Sequence, residues 1–556
     1  MRIRDLLVIL LISAISFSCA KQGSPMGGPK DLDPPQAIDI IPKDQSLNVK
    51  PTRIVLTFNE YVKLDNATKN IIITPKIDKD KAVITAVKDQ VIIEFNQQLE
   101  DSTTYVINFQ KSVQDISEEN PAENLKLVFS TGTTIDSLKF SGHVNTYFLS
   151  KRSKITDAIV GLYPLDDTTN VFIASPYYLT QVDSSGNFLI TNIKKGKYKA
   201  YAWSDDNNSL KAEYKSEAFD FISDTILIEN DIESVTFNLS KGDQTPIKLL
   251  RSSPSNSQYS IVLNRPAKDI EIKNDLLGSS IFYTTEDKKI NLYPAKPISD
   301  SLQLFLSLSD SVGFSIDTAV WAKFELSDRK APKLSVTANS GLSFYQNLSI
   351  ELKFNKPIED INLDSLYLSY DTASVIPISR SMLSFADSLR RDVVSINLTV
   401  PDSIPFEVIS LNARDSTFID MEGEYNETIL KANYKKLKRE TLADNISGTI
   451  IGTEGPFIVQ LLDSKGEMRR EEYVETGNKF NFKLIEATNY QIQVIVDKNG
   501  NRRWDPANFS QNRLAEPVFY YLNEENGTSI ITIRGGWTVE DLEIQASKES
   551  GLERRK

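Results

Sequence analysis

Among its 556 residues the chain has a single cysteine, Cys19, and a single histidine, His143. One thiol excludes a disulfide within the chain, so stability has to come from packing, hydrogen bonds and ions. One imidazole excludes the usual zinc constellations and any histidine-based triad that does not use His143 itself. His143 follows Ser141-Gly142 at the head of an extended segment, where it reads as an ordinary strand residue. Positive charge is also scarce: 63 Lys and Arg stand against 75 Asp and Glu, a formal net charge of −12, and no basic patch is concentrated anywhere. That argues against a nucleic-acid role, which needs clustered cations to meet phosphates. Spread along the chain, the acidity serves solubility. Helical periodicity is missing as well, so helix is expected to be minor.

What is there begins at the N-terminus. Arg2 and Arg4 precede an apolar core from Leu6 to Ile15, and Ser16 and Ser18 flank Phe17 just before Cys19. This is the three-part build of a signal peptide, expected over 1–18. Its core is about half of the ~20 residues that a spanning helix needs. Residues 19–35 then turn polar, small and stiff, with Gly27-Gly28-Pro29-Lys30-Asp31 and Pro34-Pro35, which reads as a linker. Ser16-Phe17-Ser18-Cys19 resembles a lipobox, which implies cleavage before a lipidated Cys19. It departs from the pattern at Ser16, where Leu is usual, and at Phe17, where a smaller residue is usual. Ordinary secretion with cleavage after Ser18 is the other reading. The stretch from Cys19 to Pro35 also resembles the start of a family of Bacteroidota outer-membrane lipoproteins with Ig-like domains. That resemblance implies an anchor in the outer membrane. The lack of an acidic cluster after Cys19 favours the periplasmic face over the cell surface.

Beyond the linker the chain is a succession of short β-branched or aromatic runs, such as Ile54-Val55-Leu56-Thr57-Phe58 and Val91-Ile92-Ile93-Glu94-Phe95, separated by Asp, Asn, Lys, Pro and Gly. Such spacing predicts an all-β chain of tandem sandwiches. Internal repeats divide it. Ile54-Val55-Leu56-Thr57-Phe58-Asn59-Glu60 returns as Ile350-Glu351-Leu352-Lys353-Phe354-Asn355-Lys356 and more faintly as Ile261-Val262-Leu263-Asn264-Arg265, which predicts related sandwiches at 36–134, 245–329 and 330–438. The first and last resemble the bacterial Ig-like domain of S-layer-type proteins. A second repeat pairs Ser141-Gly142-His143-Val144 with Ser447-Gly448-Thr449-Ile450, Gly186-Asn187-Phe188 with Gly477-Asn478-Lys479-Phe480, and Tyr198 with Tyr490. These segments, at 138–242 and 443–546, resemble small transthyretin-like or carboxypeptidase-regulatory-like sandwiches, usually non-catalytic spacers or docking units. A charged tail at 547–556 closes the chain.

Seven residues after each aligned tyrosine lies the one constellation with chemistry in it. Asp205, Asn207, Ser209 and Glu213 stand at alternate places of a turn, followed by Glu217. Asp497, Asn499, Asn501 and Asp505 repeat the pattern, followed by Glu516. Oxygen side chains so spaced can converge on a hard cation, so a structural calcium ion is the ligand to expect. Leu210 and Arg502 stand where an EF-hand has Gly, which points to a loop of a β-domain. The alternative is a metal-free Asx-rich turn.

Asp-Ser and Asp-Thr steps are dense, among them Asp101-Ser102, Asp136-Ser137, Asp310-Ser311 and Asp402-Ser403. Followed by an apolar residue or Thr, they resemble the O-glycosylation sequon of Bacteroidota envelope proteins, although turn chemistry explains them too. Trp203, Trp321, Trp504 and Trp537 lie in or beside strand-like runs and are expected in cores. Tyr177-Tyr178 reads as an exposed pair. No catalytic set emerges. The expected protein is a non-enzymatic envelope scaffold, a rod of five sandwiches docking outer-membrane or periplasmic proteins. The alternative is an extracellular glycan-binding protein.

Overall fold

The computed structural model describes residues 31–78, 80–148, 157–255, 257–325, 332–371, 374–523, 525–546 and 551–552. Cys19, the signal peptide and most of the charged tail lie outside the described residues. The chain is all-β, a tandem array of Ig-like and transthyretin-like sandwiches, and among the described residues helix is confined to single turns. It divides into two compact units, one of 1–137 with Asn192–Lys194, the other the remainder.

The first unit holds one Ig-like sandwich. Its larger sheet runs Ala37–Ile41, Arg53–Phe58, Gln90–Phe95, Ala82–Val87, and the facing sheet runs Ile72–Thr74, Thr104–Asn108, Lys126–Ser130. Alternation places Ile54, Leu56 and Phe58 inward against Val91 and Ile93, all at most 1 % exposed. Each such side chain contributes about 1.5–3 kcal/mol of burial.

Two sandwiches of the second unit repeat this order. Leu249–Ser255, Gln258–Leu263, Lys289–Pro294 and Ile281–Glu286 form the larger sheet of one, and Val336–Ala338, Asn347–Phe354, Val393–Thr399 and Leu383–Phe385 that of the other. The repeated asparagine explains why the motif recurs. Asn59 Oδ1 accepts the backbone N–H of Gln36 at 2.7 Å, Asn264 Oδ1 that of Lys248 at 2.7 Å, and Asn355 Oδ1 that of Ser335 at 2.8 Å. In each case the amide ties the end of one strand to the entry of its neighbour, where ladder pairing stops. Leu263, 1 % exposed, fills the core place that Phe58 and Phe354 fill, so the weaker copy keeps the same geometry.

The remaining two sandwiches share another order. Asn187–Ile193, Leu138–Thr146 and Ile232–Leu239 lie side by side in one, and Lys479–Glu486, Leu442–Ile451 and Thr538–Gln545 in the other. Both contain a parallel pair with a bulge at the Ser-Gly step, between Phe140 and Gly142 and between Ile446 and Gly448. A Cβ on Gly142 would sit 1.9 Å from the carbonyl oxygen of Val235, and one on Gly448 2.3 Å from that of Leu542. Glycine is obligatory there because the neighbouring backbone occupies the side-chain space.

Candidate functional site

The two Asp/Asn loops leave corresponding strands, Gly196–Ser204 and Asn489–Val496. Their hydrogen bonds match one for one. Asp205 Oδ1 accepts from Ser209 N at 2.8 Å and Oδ2 from Leu210 N at 3.2 Å; Asp497 Oδ1 accepts from Asn501 N at 3.1 Å and Oδ2 from Arg502 N at 2.8 Å. Leu210 and Arg502 both take left-handed backbone, with φ of 58° and 61°. Glu217 accepts from Asp206 N and Glu213 N, both at 2.9 Å, as Glu516 accepts from Lys498 N at 2.7 Å and Asp505 N at 2.9 Å. The distal glutamate therefore clamps the two ends of its loop. Asn207 Nδ2 reaches Glu213 at 3.2 Å, and Asn499 Nδ2 reaches Asp505 at 2.5 Å.

These acids are deeply buried: Asp205 is 4 % exposed, Glu217 2 %, Asp497 0 %, Asp505 3 % and Glu516 3 %. Burial raises the pKa of Glu217, and raises that of Glu516 to about 7, against the lowering effect of the N–H groups they accept.

The structure thus gathers the residues expected to bind calcium, and their carboxylates accept backbone N–H groups. In the second loop the carboxylates face N–H donors. Asp505 also meets Asn501 Nδ2 at 2.8 Å and the guanidinium groups of Arg503 and Arg513, each at 3.5 Å. Two cationic side chains thus stand beside the Asp505 carboxylate. Among the described residues, no group of three or more His, Cys, Asp or Glu side chains is arranged to hold a metal ion.

The second loop continues into a docking segment that the sequence did not reveal. Arg503 grips Asp269 of the middle Ig-like sandwich with two bonds of 2.7 Å, which hold the Asp269 carboxyl below its usual pKa. Asn508 Nδ2 donates to the Val312 carbonyl at 3.1 Å. Gln244, between the second and third sandwiches, donates to the Ala507 carbonyl and accepts from Phe509 N, both at 2.9 Å. The Phe509 ring stands edge-on to Phe172 at 5.2 Å and Phe221 at 5.8 Å, inside the second sandwich's aromatic cluster. Trp504 meets Phe148 edge-on at 4.7 Å. The last sandwich thus docks on the second and third.

Other expectations also change. Trp203 is fully buried, whereas Trp321 is 62 % and Trp537 48 % exposed. Tyr178, expected at the surface, is 2 % exposed. His143 Nδ1 lies 3.1 Å from Asn187 Oδ1 on an outward sheet face, beside a cleft of about 800 Å³. In the Asp-Ser and Asp-Thr steps, Ser102, Ser137, Ser311 and Ser403 are exposed.

Residues 31–131 match the family described as bacterial Ig-like domain, and residues 156–216, which include the first Asp/Asn loop, match polysaccharide lyase family 4, domain II. No curated protein matches the chain. Among solved structures, the native conformation of E. coli alpha-2-macroglobulin is 9 % identical, with 89 % of this chain and 43 % of that chain covered and a TM-score of 0.13. This chain therefore spans less than half of that protein. The BSP domain of a biofilm-associated protein is 8 % identical over 81 % of this chain and 90 % of its own, TM-score 0.15. The human desmocollin-1 ectodomain is 10 % identical over 86 % and 94 %, TM-score 0.14.

Proposed function

We propose that the protein is a non-enzymatic cell-envelope lipoprotein, anchored through Cys19 in the outer membrane and facing the periplasm, where its sandwiches form an interaction scaffold for outer-membrane or periplasmic proteins. The observation that carries this reading is the use made of the buried acids: in both Asp/Asn loops they hold backbone N–H groups, and the second loop leads into a docking segment, a structural task. The bacterial Ig-like match over 31–131, which begins within the linker, supports an envelope setting. Among the described residues no helix is long and apolar enough to cross a membrane; attachment through a lipid on Cys19 is proposed from the sequence around it. The exposed Asp-Ser turns are the places where glycosylation is proposed.

Labelling with a radioactive fatty acid tests the anchor. Label is expected on the wild type and none on Cys19→Ala, and an unlabelled wild type overturns it. Purification from solubilised envelopes tests the scaffold: outer-membrane or periplasmic proteins are expected in stoichiometric amounts, and recovery of the chain alone overturns the reading.

A further inference from the structure

The smaller sheet of the middle Ig-like sandwich consists of Asp269–Lys273, Leu302–Ser309 and Ser315–Ala322. Its inward face carries Leu304, Leu306, Leu308 and Val320, none more than 4 % exposed. Its outward face should be polar, and in most places it is. Glu271, Ser307 and Asp317 lie in one row across the three strands, and Lys273, Phe305 and Ala319 in the next. Gln303 and Trp321 face each other in a third. Phe305 and Trp321 are therefore diagonal neighbours on one solvent-facing sheet, 53 % and 62 % exposed.

Two large aromatic side chains left open side by side call for an occupant, since scattered single apolar residues are ordinary but a paired aromatic face is not. The surroundings select its chemistry. A shallow depression of about 360 Å³ lies against Phe305, lined also by Glu271, Lys273, Ser307 and Asp317. Lys273 and Glu271 form an ion pair at 3.1 Å, and Ser307 Oγ donates to Asp317 at 2.5 Å. A protein interface would need a larger apolar centre depleted of charge, and here charged side chains stand beside the rings. A sugar ring needs less: an aromatic face for its C–H surface, and nearby donors and acceptors for its hydroxyl groups. Acids that accept, a lysine that donates, and Gln303 and Ser307 that do both meet that need.

We infer that the outward face of this sheet is a glycan-binding platform, on which Trp321 and Phe305 stack pyranose rings and Glu271, Lys273, Gln303 and Asp317 bond their hydroxyls. The platform does not depend on the lipid anchor or on a protein partner.

Affinity electrophoresis of the mature full-length chain in gels containing xylan, mixed-linkage β-glucan or yeast mannan, together with titration by chitotetraose, tests this. Retardation or binding by at least one probe is expected. Trp321→Ala should weaken it by roughly tenfold or more and Phe305→Ala by a smaller factor. Both variants should keep the wild-type melting temperature, because neither side chain is part of the core. Trp537→Ala, exposed elsewhere, should leave binding unchanged. Failure of all four probes to bind overturns the proposal, as does binding that Trp321→Ala does not alter. Loss of a copurifying protein on Trp321→Ala, without any glycan binding in the wild type, overturns it in favour of a protein-docking face.

Discussion

Lys356 Nζ lies 3.0 Å from Asp420 Oδ2 in the fourth sandwich, with the lysine 1 % and the aspartate 0 % exposed. Glu422 adds a second contact at 2.6 Å. Burial pushes the lysine pKa down, and the two carboxylates more than reverse this. Arg265 holds the corresponding place in the middle sandwich, 3.1 Å from Asp310. Both cations follow the repeated asparagine. In the first sandwich that place is taken by Glu60, whose pKa is raised by burial and then by repulsion from Asp115. One site in the fold is thus satisfied by opposite charge twice and opposed by like charge once.

Removing the cation should leave buried carboxylates unpaired. Lys356→Ala is expected to cost about 3–5 kcal/mol. Glu60→Lys, at a half-exposed place, is expected to stabilise the first sandwich by up to ~1 kcal/mol. Urea unfolding measures both, and opposite signs are required.

Asp497→Ala should lower stability by about 2–3 kcal/mol, because Asn501 N and Arg502 N lose their buried acceptor. Since the loop is closed by hydrogen bonds, the loss should be equal in chelator and in millimolar calcium. A wild-type melting temperature that calcium raises, with no such rise in the variant, would instead show calcium bound in this loop.

Stability should fall as pH rises from about 5 to about 8. Glu516 and Asp220 both have folded pKa values of about 7, each raised chiefly by burial. A carboxyl raised on folding binds more protons folded than unfolded between its two pKa values. Its contribution is present below the unfolded pKa and is lost through the folded one. Glu516→Gln should flatten this slope while lowering absolute stability, since the amide meets one of its two N–H partners with the wrong group. An unchanged slope in thermal melts would count against the buried titration.

Phe509→Ala should loosen the last sandwich from the second by about 2–3 kcal/mol without unfolding either. Hydrogen exchange is expected to speed up around Phe172, Gln244 and Val312, while the strand Phe457–Asp463 inside the last sandwich stays protected. Equal loss of protection in that strand would mean that the docking contact is part of one cooperative fold.

The alternation of Ile54, Leu56 and Phe58, the asparagine after it, and the Ser-Gly step of the second repeat were all readable, because each answers to a local or nearest-strand demand. The twin loops were readable for the same reason. Every Asp205 and Asp497 bond described closes within five residues, so equal spacing gave equal geometry. The exposure of Trp321 had a signal too: it shares strand parity with Asp317 and Lys323 rather than with Val320 and Ala322.

What these acids do was not readable from spacing. A sequence pattern states which oxygen atoms can converge, but whether they meet a metal ion or an N–H group depends on donors brought up by the folded loop and by Arg503 and Arg513. Nor could it place Phe509, whose partners Phe172 and Phe221 lie in another sandwich hundreds of residues away. The all-β class, the repeats and the shape of each loop follow from side-chain period and short-range hydrogen bonding, both written in the order of residues. The docking of the last sandwich on the second and third, and the exposure of an aromatic pair, emerge only in the folded chain. Those outcomes depend on which surfaces long-range packing brings together, and alternation along a strand assigns a face without saying what will cover it.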